Sequence, residues 1–380
     1  MDFSLSEENR MIQEVVRGWT ANACPRDKVL EWDGQNGPPA ARLAELAELG
    51  FCGITVPEAF GGQGSDLLGA CLVMEELAAL SPPLAAQYAA AALWGGAALN
   101  ALGSTGQKNT LLPACANGES LVALALGDPD DQSWPGPEAP KFVRSGNDFI
   151  LNGSWRHVLL ADRAGLFLVA VLDQGRDASN WTMFLAAPQD GLVVEPLETL
   201  GLHGAALSRV TFDQIRLSQE AVLGGPGHMG QGPGQWECLA GLVSLSWAAL
   251  ALGLARGAFD YALEYSKQRI QFKQPIGTFP AIREKLVDLE INLNAARLLT
   301  HQAASLADTG RGFARIAHQS QLLAVRTARD AGLLGLHTLG GYGYTMEYDA
   351  QRYLRDALGL VALGPSPAGL TARLGAGIGL

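Results

Sequence analysis

GGPGHMGQGPGQ, residues 224–235, carries six glycines and two prolines in twelve positions. That density reads as a linker: glycine costs a helix or strand backbone entropy and proline lacks the amide donor. The segment therefore divides the chain, and the texture on its two sides differs. Upstream lie short apolar runs broken by Gly, Pro, Asn and Asp: LVALALG (121–127), DFILNGSW (148–155), AGLFLVAVL (164–172) and WTMFLAA (181–187). They read as strands of a β domain spanning 121–223. Downstream, 235–380 reads as three or four long helices, with the helix reaching Gln271 closed by Pro275. Residues 1–120 are again helical. Ser4 and Glu7 form a capping-box pattern before Met11, Ile12, Val15 and Val16, and RLAELAELG (42–50) ends on a helix-stopping glycine.

The order is thus helical, β, helical: an α+β multi-domain protein of 380 residues, with 48% hydrophobic residues to supply its cores. The net charge of −11 comes from scattered acids and argues against nucleic acid as a partner. Five cysteines, widely spaced and without a C-x-x-C pair, argue against a disulfide frame or a zinc site and fit a reducing cytoplasm. MDFSLSEENR at the start has acids and no apolar core, so it does not read as a targeting peptide. Two uncharged stretches, Pro82 to Gln107 and Cys238 to Leu254, are interrupted by polar residues and glycines and read as buried helices, not membrane spans.

Seven pieces in register resemble the acyl-CoA dehydrogenase family over nearly the whole chain. They are MDFSLSEENRMIQEVVR (1–17), LAELGFCGITVPEAFGGQGSD (46–66), LVALALGDPD (121–130), FILNGSW (149–155), LGLHG (200–204), SKQRIQFKQPIGTFPAI (266–282) and GGYGYTMEYDAQRYLRD (340–356). The resemblance implies an N-terminal all-α domain, a central β-barrel or sandwich and a C-terminal four-helix bundle, assembled as tetramers. It also implies FAD and acyl-CoA thioesters. In the family's reaction a glutamate removes the α-proton while the β-hydrogen leaves as hydride to the flavin.

That glutamate is missing. After Arg355 and Asp356 the run ALGLVALGPSPAGL (357–370) puts Leu363 and Gly364 where the family has Tyr and Glu, and the alternative base position on the first long C-terminal helix falls at Val243. No catalytic residue is expected in this chain. Glu237, about 9 Å from Val243 along a helix, and Glu347 are the remaining candidates for a displaced base.

Residues that in the family reach across to a neighbouring subunit's FAD are present here: Arg269 and Phe272, expected on one helix face, and Gly340, Gly341 and Gly343 in a close-approach turn. His337 replaces the usual glutamine. Residues that would hold the flavin ring in the chain's own β domain are changed. His157-Val158-Leu159 replaces an aromatic-x-Thr/Ser pair, Gly127 replaces a threonine, and only Ser133 keeps the pattern. On the thioester side, His203 and Ser244 stand where arginines are common.

His301 and His318 read as solvated helix positions, and no metal site is expected. Trp236, Trp247, Phe259 and Tyr261 read as core, and Arg352 and Arg355 near Asp356 as a surface ion-pair set, with lining of a subunit contact as the alternative. The tail from Leu363 to Leu380 is similar to the glutamate-lacking subunits of heteromeric bacterial steroid side-chain dehydrogenases. The expectation is a non-catalytic subunit that completes the FAD site of a catalytic partner, the acyl-CoA being bound mainly by that partner, with electron-transfer flavoprotein as acceptor. The alternatives are an active homotetrameric flavoprotein, with a displaced base or monooxygenase chemistry, and a structural homologue.

Overall fold

The computed structural model describes residues 4–35, 37–127, 139–175 and 180–379. The first block holds α1 (Glu7–Ala23), α2 (Arg26–Asp33), α3 (Ala40–Glu48), α4 (Leu67–Ala78), α5 (Pro82–Ala91), α6 (Ala98–Leu102) and α7 (Thr105–Ala116). The Ser6 hydroxyl, not Ser4, accepts the Asn9 amide and caps α1, because the helix starts two residues later than the Ser4 pattern suggests. Asp66 caps α4 in the same way, and Ser104 with Gln107 forms a capping box on α7. The uncharged stretch from Pro82 is buried along α5 and through the single wide turn Ala92–Ala97 that joins it to α6.

The middle block is one seven-stranded sheet: β1 (Leu121–Ala125), β2 (Lys141–Ser145), β3 (Asp148–Leu159), β4 (Ala164–Asp173), β5 (Trp181–Ala186), β6 (Leu192–Pro196) and β7 (Leu207–Leu217). The strand order is β1-β4-β2-β3-β7-β6, with β5 also paired to β4. Phe142, Phe149 and Phe184 meet edge to face at 5.3–5.4 Å inside it. The Gly/Pro segment is anchored by the Gln107 side chain, which donates to the carbonyls of Glu220 and Val222 and accepts the Gly224 amide.

The last block comprises α8 (Gly232–Gln268), the hairpin strands β8 (Ile270–Gln271) and β9 (Gln274–Pro275), α9 (Pro280–Asp308), α10 (Ala314–Leu339), α11 (Ala350–Leu363) and α12 (Pro367–Ala376). By length and composition α8 could cross a membrane, but 94% of its apolar window is buried inside this fold. It is the central helix. Gly253 and Gly257 let it approach α4 closely: a Cβ at either would meet the carbonyl of Glu75 or Ala79 within 2.3 Å.

Two expectations about charged and polar helix residues are corrected. Arg352 is 1% exposed and Asp356 equally buried, so the set is a junction of the blocks and not a surface ion pair. Arg352 Nε donates to Asp349, Arg355 Nη2 to Asp33 of α2, and Asp356 accepts the Leu202 amide that precedes β7. The His203 ring fills the same seam, between the Asp33 and Thr199 carbonyls at 3.0 and 2.9 Å. His318 is 2% exposed, because α10 turns it into α8, where its Nδ1 lies 2.8 Å from Ser244 Oγ. Trp236 and Trp247 are buried as expected, and Phe259 and Tyr261 pack partly buried against the core.

Candidate functional site

The three blocks meet at a cavity of about 110 Å³. Each contributes a wall. Trp94 comes from the wide turn before α6; Leu124, Leu126 and Gly127 come from β1 and its end; His157 and Leu159 come from β3. Trp236, Val243 and Trp247 line it from α8, and Leu363, Gly364 and Pro365 from the end of α11. The spacing on α8 is i, i+7, i+11, one face of a helix. His157 reaches the cavity because the pairing of β3 with β7 slips between Trp155 and Val158, a bulge that leaves His157 at φ 61°.

The cavity thus gathers Gly364, Val243, Gly127, His157 and Leu159, positions that the sequence singles out separately. Among the described residues lining it there is no Asp or Glu. Glu237 is exposed and paired to Arg373 at 2.7 Å, Glu347 is exposed, and neither lines the cavity.

Trp247 shapes the site most. A Cβ on Gly364 would lie 3.1 Å from its Cδ2 and 3.3 Å from its Cε2, so the indole is stacked against the position from which a carboxylate would project. Trp94 donates its Nε1 proton to Ser246 Oγ at 3.1 Å, and Ser246 donates to the Val243 carbonyl at 2.7 Å. Sequence reasoning misses Trp94, although a lone large residue in the small-residue run AAALWGGAALN (90–100) is a usable signal.

Next to this wall, where α10 packs on α8, burial pushes the His318 imidazole down to about 4, helped by Arg373 and opposed by Glu237. Its Nε2 has no partner among the described residues. Ser133 lies outside the described residues.

The residues expected to face a neighbouring subunit's cofactor lie elsewhere and line no part of this cavity. Arg269 and Phe272 do not share a helix face. α8 stops at Gln268 and the chain turns into the β8/β9 hairpin, with Phe272 and Lys273 at φ 49° and 65°. Pro275, with no amide to continue a helix, sits in the return strand. The consequence is exposure: Phe272 is 88% exposed, and the Arg269 side chain is exposed without a carboxylate partner among the described residues. Gly340 and Gly341 follow α10 in open space, where a Cβ at either would meet nothing within 4 Å, and His337 is exposed beside them. Gly343 differs from them in being buried. A Cβ there would meet the Leu336 carbonyl at 2.6 Å, so packing within the chain already requires a glycine at this position.

FAD, which the resemblance implies, can be tested against both regions. The cavity is about a third of the smallest usual ligand pocket, ~300 Å³. Among the described residues its side-chain walls are hydrocarbon and indole apart from His157, so side-chain partners for the polar edge of a flavin ring are few. The ring does not fit this chain's own cavity. Outside the cavity, Arg269 offers a guanidinium without a carboxylate partner among the described residues, Phe272 an exposed ring, and Gly340 and Gly341 bare backbone, groups whose chemistry suits a diphosphate and its nucleoside.

Comparison with known proteins agrees with the architecture. Residues 6–119 match the acyl-CoA dehydrogenase N-terminal domain and residues 244–364 the acyl-CoA dehydrogenase C-terminal domain. The chain is 33% identical to benzylmalonyl-CoA dehydrogenase of Aromatoleum aromaticum, covering 94% of each. It superposes on butyryl-CoA dehydrogenase of Megasphaera elsdenii with a TM-score of 0.93 at 25% identity, over the whole of both chains. A chain in the structure of the electron transferring flavoprotein of Acidaminococcus fermentans gives the same TM-score at 26% identity, covering 100% of this chain and 99% of that one.

Proposed function

This chain belongs to the acyl-CoA dehydrogenase family, and from that premise we propose that it serves as the non-catalytic subunit of a heteromeric, α2β2 acyl-CoA dehydrogenase. One observation carries the reading: the cavity where both base positions meet, Gly364 and Val243, is lined by no carboxylate among the described residues. Abstraction of an α-proton needs a group that accepts it within hydrogen-bond reach. Here the described side chains lining the cavity are indole and hydrocarbon, with the His157 imidazole the one titratable group among them.

The partner supplies the base, the flavin-ring pocket and most of the acyl-CoA contacts. This chain supplies the edge of Arg269, Phe272, Gly340 and Gly341, with His337 beside it, to the diphosphate and nucleoside of an FAD seated in the partner. When bound, FAD supplies the hydride acceptor of the oxidation; the residues of this chain hold and orient it. Exposed apolar residues on the same block support an assembly face: Val287, Ile291 and Leu298 on α9, and Ile270 beside Phe272.

A CoA thioester of sterol side-chain type is the proposed substrate, supported by the likeness of the tail after Leu363. The proposed acceptor is electron-transfer flavoprotein, and the proposed compartment is a reducing cytoplasm, in keeping with five free cysteines, four of them buried.

Co-expression with candidate catalytic subunits tests the reading. The complex is expected to hold one FAD for every two chains, and Arg269→Ala to lower FAD retention in it by tenfold or more, the value of about 1.4 kcal/mol from a charge-assisted contact to phosphate. Unchanged retention in the Arg269 variant would count against the shared site.

A further inference from the structure

The misfit between cavity and cofactor has a positive side. We infer that Trp247, backed by Trp94 and Trp236, fills in this chain the space that a flavin ring and a base would otherwise need, so that the three blocks close on one another without a cofactor. This deepens the shared-site reading and rests on it.

All three indoles line the cavity, yet Trp94, Trp236 and Trp247 are only 4%, 7% and 5% exposed. They are therefore packed walls and not side chains lying loose in an open cleft. Each buries roughly 150–250 Å². Trp94 belongs to the first block and is hydrogen-bonded to Ser246 of the last, so its indole bridges two blocks directly. Trp247 lies against Gly364 at the end of α11, where a Cβ would stand 3.1 Å from the indole, a tight contact. Leu124, Leu126 and Leu159 give the sheet side of the cavity the same apolar character.

Glycine at 364 and tryptophan at 247 are thus one arrangement. A side chain at the first would press on the second: a Cβ at 364 lies 3.1 Å from the indole, so Trp247 would have to yield by a few tenths of an ångström to admit one. What remains, about 110 Å³, is too small for a tricyclic ring.

The test uses lumiflavin, the flavin ring without its diphosphate tail, and indole, which matches the deleted side chain. Both are added to the full-length chain and followed by thermal unfolding and tryptophan fluorescence. For the wild type, neither compound is expected to raise Tm or quench the buried tryptophans. Trp94→Ala/Trp247→Ala is expected to lose on the order of 5–10 °C and to regain a third or more of that with lumiflavin or indole, since dry apolar cavities take up small aromatic molecules. Trp247→Leu, a milder enlargement, serves where the double variant fails to fold, and is expected to regain stability with lumiflavin.

Quenching or stabilisation of the wild type by lumiflavin overturns the inference, as do folded variants that gain nothing from either compound. The two levels separate in one control. An isolated wild-type chain that purifies with FAD overturns both this inference and the shared-site reading; a flavin-free wild type with unresponsive variants overturns only this one.

Discussion

Ser244 and His318 show how one buried residue records what the site has become. Ser244 follows Val243 on α8, and its hydroxyl meets a histidine that burial keeps neutral far below the ordinary imidazole range. Above pH 6.5 the imidazole is neutral in both folded and unfolded chains and adds no pH dependence. Between 6.5 and about 4 the unfolded chain takes up a proton that the folded chain refuses, so stability falls as the pH falls through that window. The loss is on the order of 2–3 kcal/mol. His318→Leu is expected to remove it, seen as a smaller drop in urea midpoint between pH 7 and pH 4.5 than in the wild type; equal drops would contradict the assignment. Glu76 does not confuse the comparison. Hydrogen bonds from Arg256 and Arg17 outweigh its burial and hold its carboxyl below the usual value, so its contribution is lost only at lower pH. None of this is legible in residues 244 and 318 alone. A histidine on a helix reads as solvated until the packing of α10 on α8 is known, and the same holds for Arg352, which looks like a surface partner of Asp356 and is buried.

At the level of elements, the β8/β9 hairpin departs furthest from the sequence reading. Helical spacing puts Arg269 and Phe272 on one face, yet α8 ends at Gln268 and a two-residue turn follows, its central residues both at positive φ. Such turns favour Asn-Gly, because other side chains pay a steric penalty in the left-handed region. Phe-Lys at this turn is strained, and strain of this kind gathers where function holds it in place. Lys273→Gly is therefore expected to stabilise the chain by up to about 1 kcal/mol without loss of FAD from the complex. Phe272→Gly should leave the fold intact, since the ring touches only Phe279 at the edge of its reach, 6.2 Å between centroids, but should shorten FAD retention. Urea unfolding and flavin dissociation rates measure the two separately. A Phe272 variant that releases FAD no faster than Lys273→Gly would remove the ring from the proposed edge. The helix ends at Gln268, short of the Gln271 expected, and Pro275 sits in the return strand of the hairpin instead of ending the helix; the turn itself escapes a sequence reading because neither Phe nor Lys announces positive φ.

Across the whole molecule, the alternation of textures around residues 224–235 is enough to read the helical, β, helical architecture, since each block carries its own periodicity and its own breakers. What sequence does not supply is the meeting of the blocks. Gly127, His157, Val243 and Gly364 are separated by up to 237 positions and share one cavity. The tryptophans that close it come from two blocks, and Arg352, Arg355, Asp356, Asp33 and His203 pin three together. Charge and volume at that junction carry the proposed function: among the described residues no carboxylate lines the cavity, and the packing is kept. The most direct measurement is the flavin content of the isolated full-length chain together with the change in its 450 nm absorbance on anaerobic addition of a saturated acyl-CoA. A colourless protein with no absorbance change, becoming half-flavinylated and reducible only in complex with a catalytic subunit, is the predicted result. A chain that purifies alone with one FAD per polypeptide and is bleached by the thioester would contradict it.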